Sequence, residues 1–198
     1  MSFSLKSESN NYTDLNLDFA GEHQTHNAIT AMAALDKLHG HFKINNKSIY
    51  EGFKKIKINT GLKARIELIN NKYPLVLDVA HNPGAIKQTI DTLYKCGYKD
   101  TKWNIVFAVM SDKDADNILS YLKPVCSKLF LTKPEIDRAM TTDVLRQNVI
   151  KLGFENYFLY ENVENAFKSA IKFEEPLLIL GSFYLIGEIL PLLRVIKK

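Results

Sequence analysis

Leu75-Val76-Leu77-Asp78-Val79-Ala80-His81-Asn82-Pro83 decides how the rest of the chain is read. A short apolar run breaks at an acid, and a polar tip then leads into a proline that suits a helix's first turn, behind an asparagine able to cap it. This is the grammar of a strand, its carboxyl tip and the next helix. It repeats downstream: apolar runs at residues 104–110, 128–132, 157–160 and 177–180 alternate with helical patterns at about 84–96, 114–123, 142–152, 163–172 and 184–196. Solidly apolar strands alternating with helices predict a mostly parallel sheet covered on both faces. Upstream, residues 65–69 alternate and Asn70-Asn71-Lys72 forms a turn before Leu75. That turn is too short for a parallel crossover, so the pair is expected to be antiparallel, completing an open six-stranded α/β sheet.

Before this domain the pattern is different. Ala28, Ala31, Met32, Leu35 and Leu38 recur at helical spacing over residues 24–38, and Gly40 stands where a C-cap belongs. Ser48 and Glu51 have the spacing of a capping box for a second short helix carrying Tyr50, Phe53 and Ile56, which is expected to end before Asn59-Thr60-Gly61. Residues 1–20 read as an extended lead-in, with only a weak alternation of Tyr12, Leu15, Leu17 and Phe19. The boundary is placed near residue 61, giving a remnant at 1–61 and an α/β domain at 62–198. Two short helices bury too little surface to fold alone, so the remnant is expected to be the tail of an upstream domain.

Composition narrows the function classes. The 198 residues are 46% hydrophobic and 24% charged, which is ordinary for a soluble globule and excludes a disordered or fibrous chain. A net charge of +4 with dispersed basic residues, apart from Lys54, Lys55, Lys57, Lys63 and Arg65, is no nucleic-acid-binding signature. Cys96 and Cys126 suggest neither a disulfide framework nor a zinc site, and a reducing cytoplasm fits them. Residues 176–196 come nearest to a membrane span, but Gly181, Glu188, Pro191 and Arg194 interrupt them, so a buried strand followed by a helix is the better reading. A monomer without membrane or nucleic-acid partners is expected.

In open parallel sheets, ligands bind outside the carboxyl ends of the strands. The polar ends here are residues 78–83, 111–114, 133–138 and 181–184. Taken singly, each has a bland explanation: Asp and Asn at helix starts are usually caps, and Phe183 and Tyr184 are expected to pack into the core rather than face a ligand. Together they bring carboxylate, ammonium, imidazole and hydroxyl groups to one edge, as a site for a charged polar ligand requires.

Five motifs in order, Gly21-x-His23-Gln24-x-x-Asn27-Ala28, Ala64-Arg65-x-Glu67, Asp78-x-Ala80-His81-Asn82-Pro83, Asp112-Lys113-Asp114 and Gly181-Ser182-Phe183-Tyr184, resemble the folylpolyglutamate synthase and dihydrofolate synthase family of the Mur ligase superfamily. The resemblance implies the C-terminal part of an ATP- and magnesium-dependent ligase that joins L-glutamate to the γ-carboxylate of folate, or to dihydropteroate, through an acyl phosphate. It also implies that the α/β domain is Rossmann-like and that its antiparallel strand lies at an edge. The phosphate loop and most magnesium ligands belong to an N-terminal domain in that family, and G-x-x-x-x-G-K-[ST] does not occur in this sequence. No metal ligand is therefore expected in this chain.

Carried over residue by residue, the resemblance makes Asn27 an adenine contact, Arg65 a phosphate contact and Asp78 a ribose-binding acid. It puts His81 near the terminal phosphates, and Asn82, Lys113 and Ser182 at the incoming amino acid, with His81 and Lys113 the candidates for catalysis. Many members carry Pro-Gly-Arg before the first strand, where this chain has Lys63-Ala64-Arg65. Two other readings remain open at this stage. One is a free-standing nucleotide-binding or interaction module without turnover. The other, a receiver-like domain with Asp78 as phosphoacceptor, lacks the acidic pair expected near its first strand.

Overall fold

The computed structural model describes residues 1–7, 10–38, 41–70 and 72–196, so Gly40 and Asn71, assigned above to a cap and a turn, lie outside the described residues. Two compact units divide the chain at Arg65/Ile66. In the first, strands β1 (Ser2–Lys6) and β2 (Asn11–Asn16) pair antiparallel, with Phe3 opposite Leu15 and Leu5 opposite Tyr12. The expected lead-in is therefore a hairpin, in which an irregularity sets three steps of β2 against two of β1 between these pairs and lets both Tyr12 and Leu15 join one small core. Helices α1 (His23–Leu38), α2 (Asn46–Lys54) and α3 (Ile56–Thr60) follow.

Tyr12, Leu15, Leu17, Phe19, Ala28, Met32 and Phe53 close a small core of their own, so residues 1–65 are more than two loose helices. The α1 stripe is narrower than expected, since Ala31 and Leu38 are exposed. The capping box is also corrected. Asn45, with an extended backbone, caps α2 by accepting from the Ser48 amide at 2.9 Å, while Glu51 pairs with Lys55 at 2.5 Å. An asparagine one turn upstream had already taken the Ser48 amide, which the Glu51 side chain was expected to satisfy.

The second unit holds the sheet. Its strands are β3 (Glu67–Asn70), β4 (Leu75–Leu77), β5 (Trp103–Phe107), β6 (Cys126–Leu131), β7 (Tyr157–Leu159) and β8 (Leu177–Leu180). Among the described residues they form a six-stranded sheet in the order β3-β4-β8-β5-β6-β7, parallel except for β3, which pairs antiparallel with β4 at the edge. β3 begins later than the alternation suggested, because Ala64 and Ile66 sit at φ 54° and 53°, a left-handed backbone that cannot join a strand. β5 leaves the ladder at Phe107, although Ala108, Val109 and Met110 stay buried.

Helices α4 (Pro83–Leu93), α5 (Ala115–Leu122) and α6 (Thr142–Lys151) cover one face, packing Ile86, Ile90, Ile118, Leu119 and Leu145 on Val76, Ile105, Phe107, Leu129 and Leu178. Strand side chains of the opposite parity, such as Val106, Phe130 and Ile179, are buried too. On that side α7 (Val163–Ile171) and α8 (Phe183–Ile196) pack on one another, burying Phe167, Leu185 and Ile189. Period-two burial on both sides of a strand explains why these strands are apolar throughout. The exception is Asn104, fully buried, whose amide donates to Glu175 at 3.1 Å.

Candidate functional site

At the carboxyl tip of β4 the backbone leaves the ladder one residue late: the Asp78 amide still donates to Ile179 of β8 at 2.9 Å. The Asp78 side chain is buried, and its carboxylate accepts from the Ala80 amide at 2.7 Å and from the Thr89 hydroxyl of α4 at 3.3 Å. It thus ties the turn to the helix that the turn opens. His81 is half-buried, with Nδ1 2.9 Å from the Val79 carbonyl. A carbonyl only accepts, so Nδ1 carries the hydrogen and Nε2 is the nitrogen available to a ligand. Asn82 caps α4, accepting from the Ala85 amide at 2.9 Å.

β8 lies between β4 and β5, yet its helix runs to the opposite face from α4 and α5. This is the place where an open parallel sheet splits into a ligand-binding crevice. The turn there is tight. Gly181 has φ 116°, and a Cβ on it would lie 2.3 Å from the Ala108 carbonyl oxygen, so the chain leaving β8 can pass this close to the end of β5 because this residue has no side chain. Ser182 is buried and accepts from the Tyr184 amide at 3.0 Å, so its hydroxyl hydrogen remains to be donated. Phe183 and Tyr184 are 55% and 46% exposed, which overturns their expected place in the core. Ser182 starts α8 so that Leu185, Ile186 and Ile189 take the core, while the Phe183 ring meets His81 at 5.9 Å between centroids.

Beyond β5 the chain is pinned to the loop after β6. The Ser111 amide donates to the Arg138 carbonyl at 2.8 Å, and Met110 bridges Ala139. Lys113 holds Asp112 at 2.8 Å, and Arg138 reaches the other oxygen of the same carboxylate at 3.3 Å. Asp114 caps α5 through the Asn117 amide at 3.1 Å. Hydrogen bonds from Lys113 to Asp112 and from Asn117 to Asp114 are the chief reasons both carboxyls stay below their ordinary range.

The first unit carries the other two residues. One turn of α1 lines up His23, Gln24 and Asn27: the Asn27 amide donates to Gln24 Oε1 at 3.0 Å, and Gln24 Nε2 lies 2.9 Å from His23 Nε2. Gln24 is buried, while Asn27 is exposed. Burial, and then the positive Arg65, lowers the His23 pKa, which keeps the imidazole neutral at pH 7. With Gln24 Nε2 a donor, His23 Nε2 is the acceptor in that pair. Arg65 is half-buried.

Within the second unit, then, Asp78, His81, Asn82, Lys113 and Ser182 all stand at the carboxyl tips of three neighbouring strands. Asn27 and Arg65 belong to the first unit. Sequence reading put residues 133–138 and 181–184 at this edge but gave Arg138 no role and expected Phe183 in the core, because their partners depend on which loop is bonded to which. Among the described residues no group of three or more His, Cys, Asp or Glu side chains is placed to hold a metal ion.

Residues 64–183 match the family described as Mur ligase, glutamate ligase domain. A dihydrofolate synthase/folylpolyglutamate synthase of Mycobacterium tuberculosis is 29% identical over 138 residues, 68% of this chain and 27% of that protein. One of Bacillus subtilis is 25% identical over 193 residues, 94% of this chain and 43% of the relative. The solved structure of Mycobacterium tuberculosis folylpolyglutamate synthase complexed with ADP superposes with a TM-score of 0.82 at 25% identity, covering 97% of this chain and 44% of that one. The chain spans less than half the length of each of these relatives.

Proposed function

The chain belongs to the Mur ligase family through its glutamate ligase domain, and from that premise we propose that it is the C-terminal portion of a cytoplasmic, ATP-dependent folylpolyglutamate synthase, which adds L-glutamate to the γ-carboxylate of a folate through an acyl phosphate and shares dihydrofolate synthase activity with its bifunctional relatives. The observation that carries this reading is the meeting of Asp78–Asn82, Ser111–Lys113 and Gly181–Ser182 at the point where the sheet splits.

In this reading Asp78 accepts from the nucleotide's ribose, Arg65 meets its phosphates with a permanently charged fork, and Asn27 offers its amide to adenine. His81, fixed by Val79, presents Nε2 to the terminal phosphates. Lys113 pairs with a carboxylate of the incoming glutamate, and Asn82 and Ser182 supply polar contacts beside it. These groups orient the amine for attack, a contribution of positioning rather than of bond chemistry. ATP supplies the phosphoryl group that activates the acceptor carboxylate. Magnesium is assigned no step here, because the described residues offer it no ligand cluster. The 198-residue chain alone is proposed to be inactive, since phosphoryl transfer depends on a phosphate-cradling loop and magnesium.

The test assays the purified chain for ADP release with ATP, magnesium, folate and glutamate, alone and after addition of a homologous N-terminal half. Turnover only in the mixture is the expected result, and turnover by the chain alone would sink the fragment reading.

A further inference from the structure

We infer that Arg138 is a second ligand-binding cation of the amino-acid subsite, acting with Lys113 as a two-point clamp that Asp112 positions and that selects the side-chain carboxylate of an acidic amino acid. The inference rests on the reading of this edge as the site of an amino-acid ligase. Three observations lead to it. First, one carboxylate already spans the two cations, with Oδ2 of Asp112 on the Lys113 ammonium at 2.8 Å and Oδ1 on Arg138 Nη2 at 3.3 Å. A pair of cations spaced to share the two oxygens of one carboxylate is spaced to receive another. Second, the spacing is built by the backbone. The Ser111 amide donates to the Arg138 carbonyl at 2.8 Å, Met140 donates to Val109 at 2.9 Å, and Met110 bridges Ala139, so the loops after β5 and β6 are bonded to one another. Third, Arg138 is 61% exposed and meets Asp112 through a single nitrogen, which leaves most of its fork open toward solvent at the ligand-binding edge of the sheet.

The choice of carboxylate follows from charge. An amino acid's α-carboxylate sits beside its own ammonium, which two protein cations would repel. The side-chain carboxylate is farther from that ammonium. Holding it also leaves the amine pointing away from the clamp, toward the position where it must react. Nearby acids are already engaged: Asp114 caps α5, and Glu188 of α8 accepts from the Glu135 amide at 2.8 Å. Those hydrogen bonds orient the two carboxylates without cancelling their charge, and within the clamp itself Lys113 and Arg138 exceed the charge of Asp112 by one.

The full 198-residue chain is titrated with L-glutamate, L-glutamine and inorganic phosphate at constant ionic strength, with amide shifts followed by NMR, for the unaltered protein, Arg138→Ala and Arg138→Lys. Glutamate should move the amides of residues 111–114 and 133–139 together, glutamine should bind at least tenfold more weakly, Arg138→Ala should lower glutamate affinity at least tenfold, and Arg138→Lys should recover part of it. Shifts confined to residues 111–114 with equal affinity in Arg138→Ala would overturn the clamp while leaving the ligase reading standing. Equal affinity for phosphate and glutamate, or no glutamate binding at all, would also overturn it. The ligase reading has its own test in turnover by the reconstituted enzyme, so the two can fail separately.

Discussion

Gly181 shows how much a single position can carry. With φ at 116° and the Ala108 oxygen 2.3 Å from where a Cβ would stand, Gly181→Ala combines strain with a backbone clash. It should lower stability by about 2 kcal/mol or more, read as a drop in the urea midpoint. Ala64 is the opposite case: it holds φ 54°, a conformation costing about 1–2 kcal/mol for a residue with a Cβ. Ala64→Gly should therefore raise stability by up to about 1 kcal/mol, the rest being lost to the freer unfolded chain. Lys113→Ala in a reconstituted enzyme should raise the KM for glutamate tenfold or more while leaving the KM for ATP alone, since a charge-assisted pair contributes roughly 1.5–3 kcal/mol; an unchanged glutamate KM would remove Lys113 from the subsite. The cysteines should separate by reactivity. Burial pushes the Cys126 thiol up to about 12, so at pH 8 it stays protonated and unlabelled by iodoacetamide in the native protein, whereas exposed Cys96 reacts.

Four helices of this protein are started by asparagine or aspartate, while Thr141 caps α6. Asn45, Asn82, Asp114 and Asn162 each accept from an amide in the first turn of the helix they precede. That pattern was visible in the sequence wherever a polar residue followed a strand, and it carried the helix starts at α4, α5 and α7 to within a residue. It failed at α2, where Ser48 and Glu51 had the right spacing but Asn45 was already in place. Capping also separates two roles of Asn82. Asn82→Ser keeps an acceptor at the cap and should leave stability nearly unchanged, whereas Asn82→Ala should cost about 1 kcal/mol. If both variants lose glutamate affinity equally in the reconstituted enzyme, the amide itself contacts the ligand; if only Asn82→Ala does, its part is structural.

For the whole molecule, the two units should differ in independence. The second closes a six-stranded sheet with helices on both faces, so a fragment of residues 66–198 should retain a cooperative thermal transition and a dispersed NMR spectrum; a spectrum collapsed to random-coil shifts would show that it needs residues 1–65. The first unit has a much smaller core and leaves Phe42 and Ile58 60% and 81% exposed, so a fragment of residues 1–65 should melt at lower temperature or not fold. Sequence alone determined the alternation of strand and helix and the antiparallel start, because hydrophobic period, caps and turn length are local properties of neighbouring residues, while the family was legible only in the resemblance of five ordered motifs. The hairpin at the N-terminus escaped it, since Tyr12 and Leu15 are buried only when β1 and α2 come to cover them. Sequence likewise placed Asp78, His81, Lys113 and Ser182 at strand tips without knowing which tips are adjacent. Only the tertiary structure decided that β8 inserts between β4 and β5, that Phe183 leaves the core to lie against His81, and that Arg138 shares a carboxylate with Lys113. Those are contacts between residues far apart in the chain, set by strand order and loop pairing, and no local pattern encodes them.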